Sequence, residues 1–147
     1  MDRAERASSN RADDDTSRVR LRQPDARTAR DRLDEATALH GLGAHGRAID
    51  LLEPLSHGAD AVAAEALWLM AACHGAEHRH QDAIECLEWA LLETRVHELG
   101  RVALLYELGT AREALGDRDR AADCFAAVCR RAPWFRDALS RLNAVRR

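Results

Sequence analysis

Residues 102–133 carry the pattern that most constrains how this chain can fold. Apolar residues recur there at helical spacing in two runs, Leu105, Leu108 and Leu115 followed by Ala121, Phe125 and Val128. Gly116 lies between the runs, and Pro133 follows the second run, where it prevents the helix from continuing. The pattern therefore predicts two amphipathic helices of about 14 residues each, joined by a tight turn.

The same residues resemble a tetratricopeptide repeat (TPR), a helix-turn-helix unit of about 34 residues. With Val102 as the first position, the matching residues are Leu105, Leu108, Gly109, Ala121, Phe125 and Pro133. Gly109 and Ala121 are expected where the two helices approach closely, and Gly116 is expected to permit the turn. The sequence departs from the pattern at Arg112, whose stem is expected to pack while its guanidinium reaches water.

Neighbouring copies of the unit are expected, because one helix pair cannot bury its own apolar face. Residues 64–95 fit the same register, and residues 29–60 form a weaker copy in which Pro54 shortens the second helix. About four extra residues fall in the linker around residues 96–100. Trp134, Phe135, Leu139 and Leu142 predict a capping helix over 134–146, and Trp89 and Trp134 are expected in the core or cap. The prediction is an all-α, right-handed α-solenoid of helix-turn-helix repeats with about seven helices over residues 28–147.

Residues 1–27 have a different composition, with seven Arg, six acidic residues and almost no large apolar residues. Such a segment cannot bury enough surface to offset its ordering entropy, so a disordered tail is predicted. No apolar signal-peptide region or membrane-spanning run is present, and the expected location is the cytoplasm. The formal net charge of −3 gives no reason to expect binding to nucleic acid.

The four cysteines, Cys73, Cys86, Cys124 and Cys129, are expected to be reduced and buried. Cys86 and Cys124 occupy equivalent positions of successive repeats, about 8–10 Å apart. That separation exceeds the roughly 7 Å limit on Cα atoms joined by a disulfide.

The TPR resemblance implies that the first helix of each repeat lines a concave groove that binds another protein. The groove positions are Arg30, Leu33, Thr37 and His40 in the first repeat, Glu65, Trp68, Ala72 and Gly75 in the second, and Ala103, Tyr106, Thr110 and Glu113 in the third. Trp68 and Tyr106 are equivalent, and such a pair either forms binding hot spots or packs between repeats. Only Arg30 has the charge needed to grip a C-terminal carboxylate, so a carboxylate clamp is not expected. An apolar or basic segment, extended or helical, suits Trp68, Tyr106, Glu65 and Glu113 better.

A second hypothesis rests on His74, Glu77 and His78, which resemble the H-x-x-E-H motif of inverted zinc peptidases. That motif needs both histidines on one helix face, whereas the repeat register bends the chain near His78. Adventitious metal binding by His74, His78 and His80 is the milder alternative.

The function predicted from the sequence is a non-enzymatic scaffold or adaptor that uses no cofactor and binds a partner protein in its groove. The alternatives are a zinc-binding protein or metallohydrolase, a self-associating module that forms a homodimer through exposed apolar groove residues, and a secretion-type chaperone.

Overall fold

The computed structural model describes residues 27–147, so the predicted disordered tail lies, except for Arg27, outside the described residues. Within that range the chain forms seven α-helices: α1 (Ala29–Gly41), α2 (His45–Leu52), α3 (Ala61–Ala76), α4 (His80–Glu93), α5 (Glu98–Leu115), α6 (Arg118–Arg131) and α7 (Ala138–Arg146). A 3₁₀ turn, Glu53–Leu55, follows α2 and contains Pro54, which shortens this helix as predicted.

Each helix packs against the next along the chain, which gives an all-α solenoid of helix pairs. Three hydrophobic clusters follow one another along it. The first joins α1, α2 and α3, the second is centred on α3, α4 and α5, and the third joins α5, α6 and α7. The helices α1, α3 and α5 are the first members of the three pairs, and the surface that they form together is called the inner face below. None of the helices between residues 27 and 147 is long and apolar enough to cross a bilayer.

The third helix pair is held by a close approach at Gly109. A Cβ atom at this position would lie only 2.9 Å from Cε1 of Phe125 and 3.1 Å from Cβ of Cys124. Ala121, on α6, is fully buried in the same cluster. Gly116 caps α5 with φ = 88°, a conformation that residues with a Cβ adopt at a cost. The close approach predicted at Gly109 and the turn predicted at Gly116 are confirmed.

The fold differs from the prediction at two helix starts. The extra residues before the third pair do not lengthen a linker, because α5 already begins at Glu98, where the His97 Nδ1 accepts a hydrogen bond from the Gly100 backbone N–H (3.1 Å). The final helix begins at Ala138 rather than near 134, after Arg136 has adopted a left-handed conformation with φ = 46°.

That later start changes which side chains cover the third pair. Ala138, Leu142 and Val145 are buried there, while the Trp134 side chain is 78% exposed and Leu139 lies largely in water. Trp89 is 50% exposed on α4. The expectation that Trp89 and Trp134 belong to the core or cap is therefore wrong, because Trp89 lies on the exposed side of α4 and Trp134 lies in the segment between α6 and α7.

Arg112 makes more contacts than its sequence position suggested. Its side chain is only 15% exposed, and its guanidinium pairs with the carboxylate of Glu88 on α4. It also donates to the sulfur of Cys124 at 3.4 Å. The guanidinium therefore binds a carboxylate of the neighbouring pair instead of reaching free water. All four cysteines are reduced, with Cys73 and Cys124 buried and Cys86 and Cys129 half-buried.

Candidate partner-binding face

Trp68 is the most accessible aromatic residue of the predicted groove. It lies on α3, and its side chain is 41% exposed. A hollow of about 300 Å³ lies on one side of it, toward the C-terminal halves of α3 and α5, and a second hollow of about 340 Å³ lies on the other side. Both hollows lie between α3 and α5, and Trp68 lines both of them.

Small side chains create these two hollows. The first is lined by Ala71, Ala72, Gly75, Ala111 and Ala114 from α3 and α5, and Ala83 and Leu87 of α4 contribute behind them. The second is lined by Ala61, Ala64, Ala103 and Leu104. Because alanine and glycine fill little space between the two helices, apolar surface stays accessible beside Trp68. Polar groups at the rims include Glu107 and Thr110 for the first hollow, and Glu65, Arg95 and His97 for the second.

Tyr106 is equivalent to Trp68 in the repeat register, but its side chain is only 7% exposed. It packs edge-on against Phe125 and Phe135, with ring centroids 5.9 and 5.6 Å away. The guanidinium carbons of Arg136 and Arg141 lie 4.9 and 5.5 Å from its ring centroid. The structure thus favours the second interpretation of Tyr106, packing between elements, and leaves Trp68 as the accessible aromatic residue.

The Tyr106 hydroxyl donates a hydrogen bond to the carboxylate of Asp137, which precedes α7. Burial is the main cause that raises the pKa of Tyr106, and its bond to the carboxylate adds to the rise. The same bond is the main cause that lowers the pKa of Asp137. Sequence periodicity could not reveal this pair, because Tyr106 lies on α5 and Asp137 lies 31 residues later, just before α7, and only the fold brings them together.

Thr110 and Glu113 of the third repeat also contact the C-terminal segment, whereas Ala103 lines the second hollow. Arg141 donates to the Thr110 hydroxyl at 2.9 Å and lies 3.2 Å from the Glu113 carboxylate. Arg136 pairs with Glu107 at 2.8 Å. These contacts cover the inner face of α5 around Tyr106, so the part of α5 that stays free for another protein is the side that lines the two hollows.

The predicted groove residues of the first repeat contribute mostly to the edge of the inner face. Leu33 is buried in the first hydrophobic cluster, and Arg30 bridges to Glu65 on α3 at 3.0 Å and to Asp34 at 3.2 Å. Thr37 is exposed and donates to the Leu33 carbonyl at 2.8 Å. His40 is half-buried, and its Nδ1 atom faces the side chains of His45 and Cys73. The predicted groove positions that line the hollows belong to the second and third repeats: Glu65, Trp68, Ala72, Gly75, Ala103 and Thr110.

The residues of the H-x-x-E-H motif do not have the geometry that the motif requires. The helix α3 ends at Ala76, and His78 adopts φ = 61°, so His78 does not follow His74 on one helix face. His74 is buried, and its Nδ1 atom has no hydrogen-bond partner among residues 27–147. Desolvation lowers the pKa of His74, with a smaller contribution from Arg79. Within residues 27–147, His74, Glu77 and His78 do not form a three-ligand cluster.

Comparison with known proteins supports the fold. No protein-family model matches the chain, and no curated protein matches it in sequence. A crystal structure of MamA, a TPR-like protein, is similar with a TM-score of 0.69 over 86% of this chain and 71% of that chain, at 18% sequence identity. The similarity confirms the predicted class: the chain folds as an all-α, TPR-like helical solenoid.

Proposed function

We propose that this protein is a non-enzymatic scaffold that binds an apolar segment of another protein on its inner face, with Trp68 as the central anchor. The observation that carries the proposal is the half-exposed indole of Trp68 between two alanine-walled hollows. Exposed aromatic residues flanked by concave apolar surface are the usual hot spots of protein interfaces. A segment with one apolar side chain on each side of Trp68 would use both hollows and cover the indole.

Charge in this region argues for an apolar partner rather than a basic one. Glu65 is paired with Arg30 at 3.0 Å, and Glu113 is paired with Arg141 at 3.2 Å. These are acidic residues that the sequence suggested as attractive to a basic segment. Because each already has an arginine partner within the chain, a lysine or arginine of another protein would have to compete for it. Affinity is therefore expected to come mainly from burial around Trp68 and to depend weakly on salt.

The test compares two tryptophans of similar exposure on different surfaces. Wild type, Trp68→Ala and Trp89→Ala, all as the full chain, are used to capture proteins from a lysate of the native host. Trp89 is 50% exposed and lines neither hollow, so it is the matched control. We expect a captured protein that Trp68→Ala loses by tenfold or more and that Trp89→Ala retains, since truncating a hot spot costs about 2 kcal/mol or more.

Direct evidence for the site would come from fluorescence. A variant with Trp89→Phe and Trp134→Phe keeps Trp68 as its sole tryptophan. Adding the captured partner should shift its emission to shorter wavelength, because the partner removes the indole from water. Equal capture by Trp68→Ala and wild type, or no emission shift on binding, would contradict the proposal.

The same proteins distinguish the homodimer. Size-exclusion chromatography with light scattering would detect a dimer of wild type. If Trp68→Ala is monomeric while Trp89→Ala remains dimeric, the molecule bound on the inner face is a second copy of the chain. A monomer at all accessible concentrations would leave a separate partner protein as the occupant.

A further inference from the structure

Three metal-ligating side chains from three different helices converge next to the first helix pair. His40 is near the end of α1, His45 is the first residue of α2, and Cys73 lies on α3. The Nδ1 atom of His40 is 3.2 Å from Nδ1 of His45 and 3.4 Å from the sulfur of Cys73. All three donor atoms lie within 4.8 Å of one another.

The fold holds these residues in place independently of any ion. The turn between α1 and α2 brings the two histidines together, with Gly43 at φ = 78° and the Ala44 backbone N–H donating to the Leu39 carbonyl at 2.9 Å. Cys73 is fully buried in the first hydrophobic cluster, which joins α1, α2 and α3. The three donors are therefore positioned by helices and a glycine-containing turn instead of by long, mobile side chains.

Hydrogen bonding alone does not satisfy this cluster. The Nδ1 atom of an imidazole offers either one hydrogen or one lone pair. His40 Nδ1 faces both His45 Nδ1 and the Cys73 sulfur, so it cannot make a full hydrogen bond to each. A positive ion at the centre of the cluster would instead accept one lone pair from each of the three residues.

Two of the three spacings match tetrahedral coordination, and the third pair of donor atoms, from His45 and Cys73, lies within 4.8 Å. Zinc binds imidazole nitrogen at about 2.0–2.1 Å and thiolate sulfur at about 2.3 Å. Tetrahedral angles then place two nitrogens about 3.3 Å apart and a nitrogen and a sulfur about 3.5 Å apart. The observed separations are 3.2 Å for the two nitrogens and 3.4 Å for nitrogen and sulfur.

We propose that His40, His45 and Cys73 form a binding site for a thiophilic divalent metal ion, and that this ion is Zn²⁺. Imidazole and thiolate donors select zinc and its neighbours over Mg²⁺ and Ca²⁺, which prefer carboxylate and carbonyl oxygens. Three protein ligands leave a fourth position for water or a group from another molecule. His40 and His45 are half-buried, so solvent reaches the cluster from their side.

Metal binding would tie the first helix pair to α3. Burial raises the pKa of the Cys73 thiol, and the nearby Glu77 carboxylate adds to this effect, so the metal-free site holds a neutral thiol whose proton the ion displaces. Because the ligands come from α1, α2 and α3, the ion would stabilise the arrangement of the first three helices. This role is separate from partner binding beside Trp68, which lies between α3 and α5.

The test uses the full chain without a histidine tag, stripped by a chelator and titrated with Zn²⁺ by calorimetry and with Co²⁺ by absorption spectroscopy. We expect one ion per chain and, with Co²⁺, a sulfur-to-cobalt charge-transfer band together with the d–d bands of a tetrahedral site. Cys73→Ala should abolish the charge-transfer band, and His45→Ala should weaken Zn²⁺ binding at least tenfold.

Matched controls use residues of the same type outside the cluster. Cys86→Ala and His80→Ala should bind both metals like wild type. His45 is half-buried at the surface, so its variant tests the site even if Cys73→Ala does not fold. The proposal is overturned if wild type binds no stoichiometric zinc at micromolar concentration. It is equally overturned if the charge-transfer band survives in folded Cys73→Ala, or if Cys86→Ala loses the band.

Discussion

Replacing Gly109 with alanine tests whether the close approach of α5 and α6 stabilises the third helix pair. The new Cβ atom would lie 2.9 Å from Cε1 of Phe125 and 3.1 Å from Cβ of Cys124. Relaxed carbon–carbon contacts are about 3.5–4.0 Å, so both neighbours would have to move. Phe125 is fully buried and packs edge-on against Tyr106, which leaves its ring little freedom to do so.

The expected change in the free energy of unfolding is the difference between two opposing effects. Overpacking a core costs about 1–3 kcal/mol. Alanine is favoured over glycine inside a helix by about 0.8–1.0 kcal/mol, which offsets part of that cost. We therefore expect Gly109→Ala to lower the free energy of unfolding by about 1 kcal/mol, and by about 2 kcal/mol if the Phe125 ring cannot shift.

Urea unfolding followed by far-ultraviolet circular dichroism measures this change. Gly75→Ala on α3 is the control, because a Cβ atom there would meet no other atom within 4 Å, and this variant should be as stable as wild type or slightly more stable. In Gly109→Ala/Phe125→Leu the ring edge is removed, so the double variant should lose less stability than the sum of the single changes. The reasoning is refuted if Gly109→Ala is as stable as Gly75→Ala.

Three further predictions concern polar and ionisable groups. Tyr106→Phe removes the main cause of the lowered pKa of Asp137, so the variant should be less stable than wild type at neutral pH. The difference in stability between the two proteins should narrow as the pH falls below about 4. Urea unfolding of both proteins at pH 7 and at pH 3 measures this difference. Burial raises the pKa of Cys86 to about 11, above its value in the unfolded chain, so stability should fall as the pH rises above about 9, and less steeply in Cys86→Ala. Glu88→Gln should destabilise the fold by about 1–3 kcal/mol, and by more than Arg112→Met does. The Glu88 substitution leaves the guanidinium of Arg112, whose side chain is only 15% exposed, without its carboxylate. A higher thermal unfolding temperature for Glu88→Gln than for Arg112→Met would contradict this.

The architecture could be predicted because it depends on local pattern. The spacing of apolar residues, the small residues Gly109 and Ala121, and the glycine turn at Gly116 all act within one helix pair. Pro54 likewise ends its helix through its own ring. Signals of this kind are visible in a single sequence.

The site depended on contacts that periodicity does not encode. The repeat register treats Trp68 and Tyr106 as equivalent, yet only Tyr106 is covered by Arg136 and Arg141. That cover follows from the late start of α7 at Ala138, which in turn depends on the left-handed conformation of Arg136. No residue pattern before the helix announces that conformation.

The convergence of His40, His45 and Cys73 escaped prediction for a similar reason. The repeat register places His40 in the groove, and the sequence predicts Cys73 to be a small, buried, reduced residue. Their meeting requires both the turn between α1 and α2 and the packing of α3 beneath it. The visible motif, His74 with Glu77 and His78, was instead interrupted by the end of α3 at Ala76.

The covered face of α5 also sets a length limit on whatever lies along the inner face. The contacts of Arg136 and Arg141 close that face at one end, so a bound segment has only α1, α3 and α5 beneath it. The axes of packed helices are about 8–10 Å apart, and the hollows between α3 and α5 add to that spacing, so the three helices extend over at least roughly 16–20 Å. An extended chain crosses that distance in about five or six residues, and a helix crosses it in three to four turns. The minimal binding fragment of a partner should accordingly be a hexapeptide if extended, and lengthening it further should add little affinity.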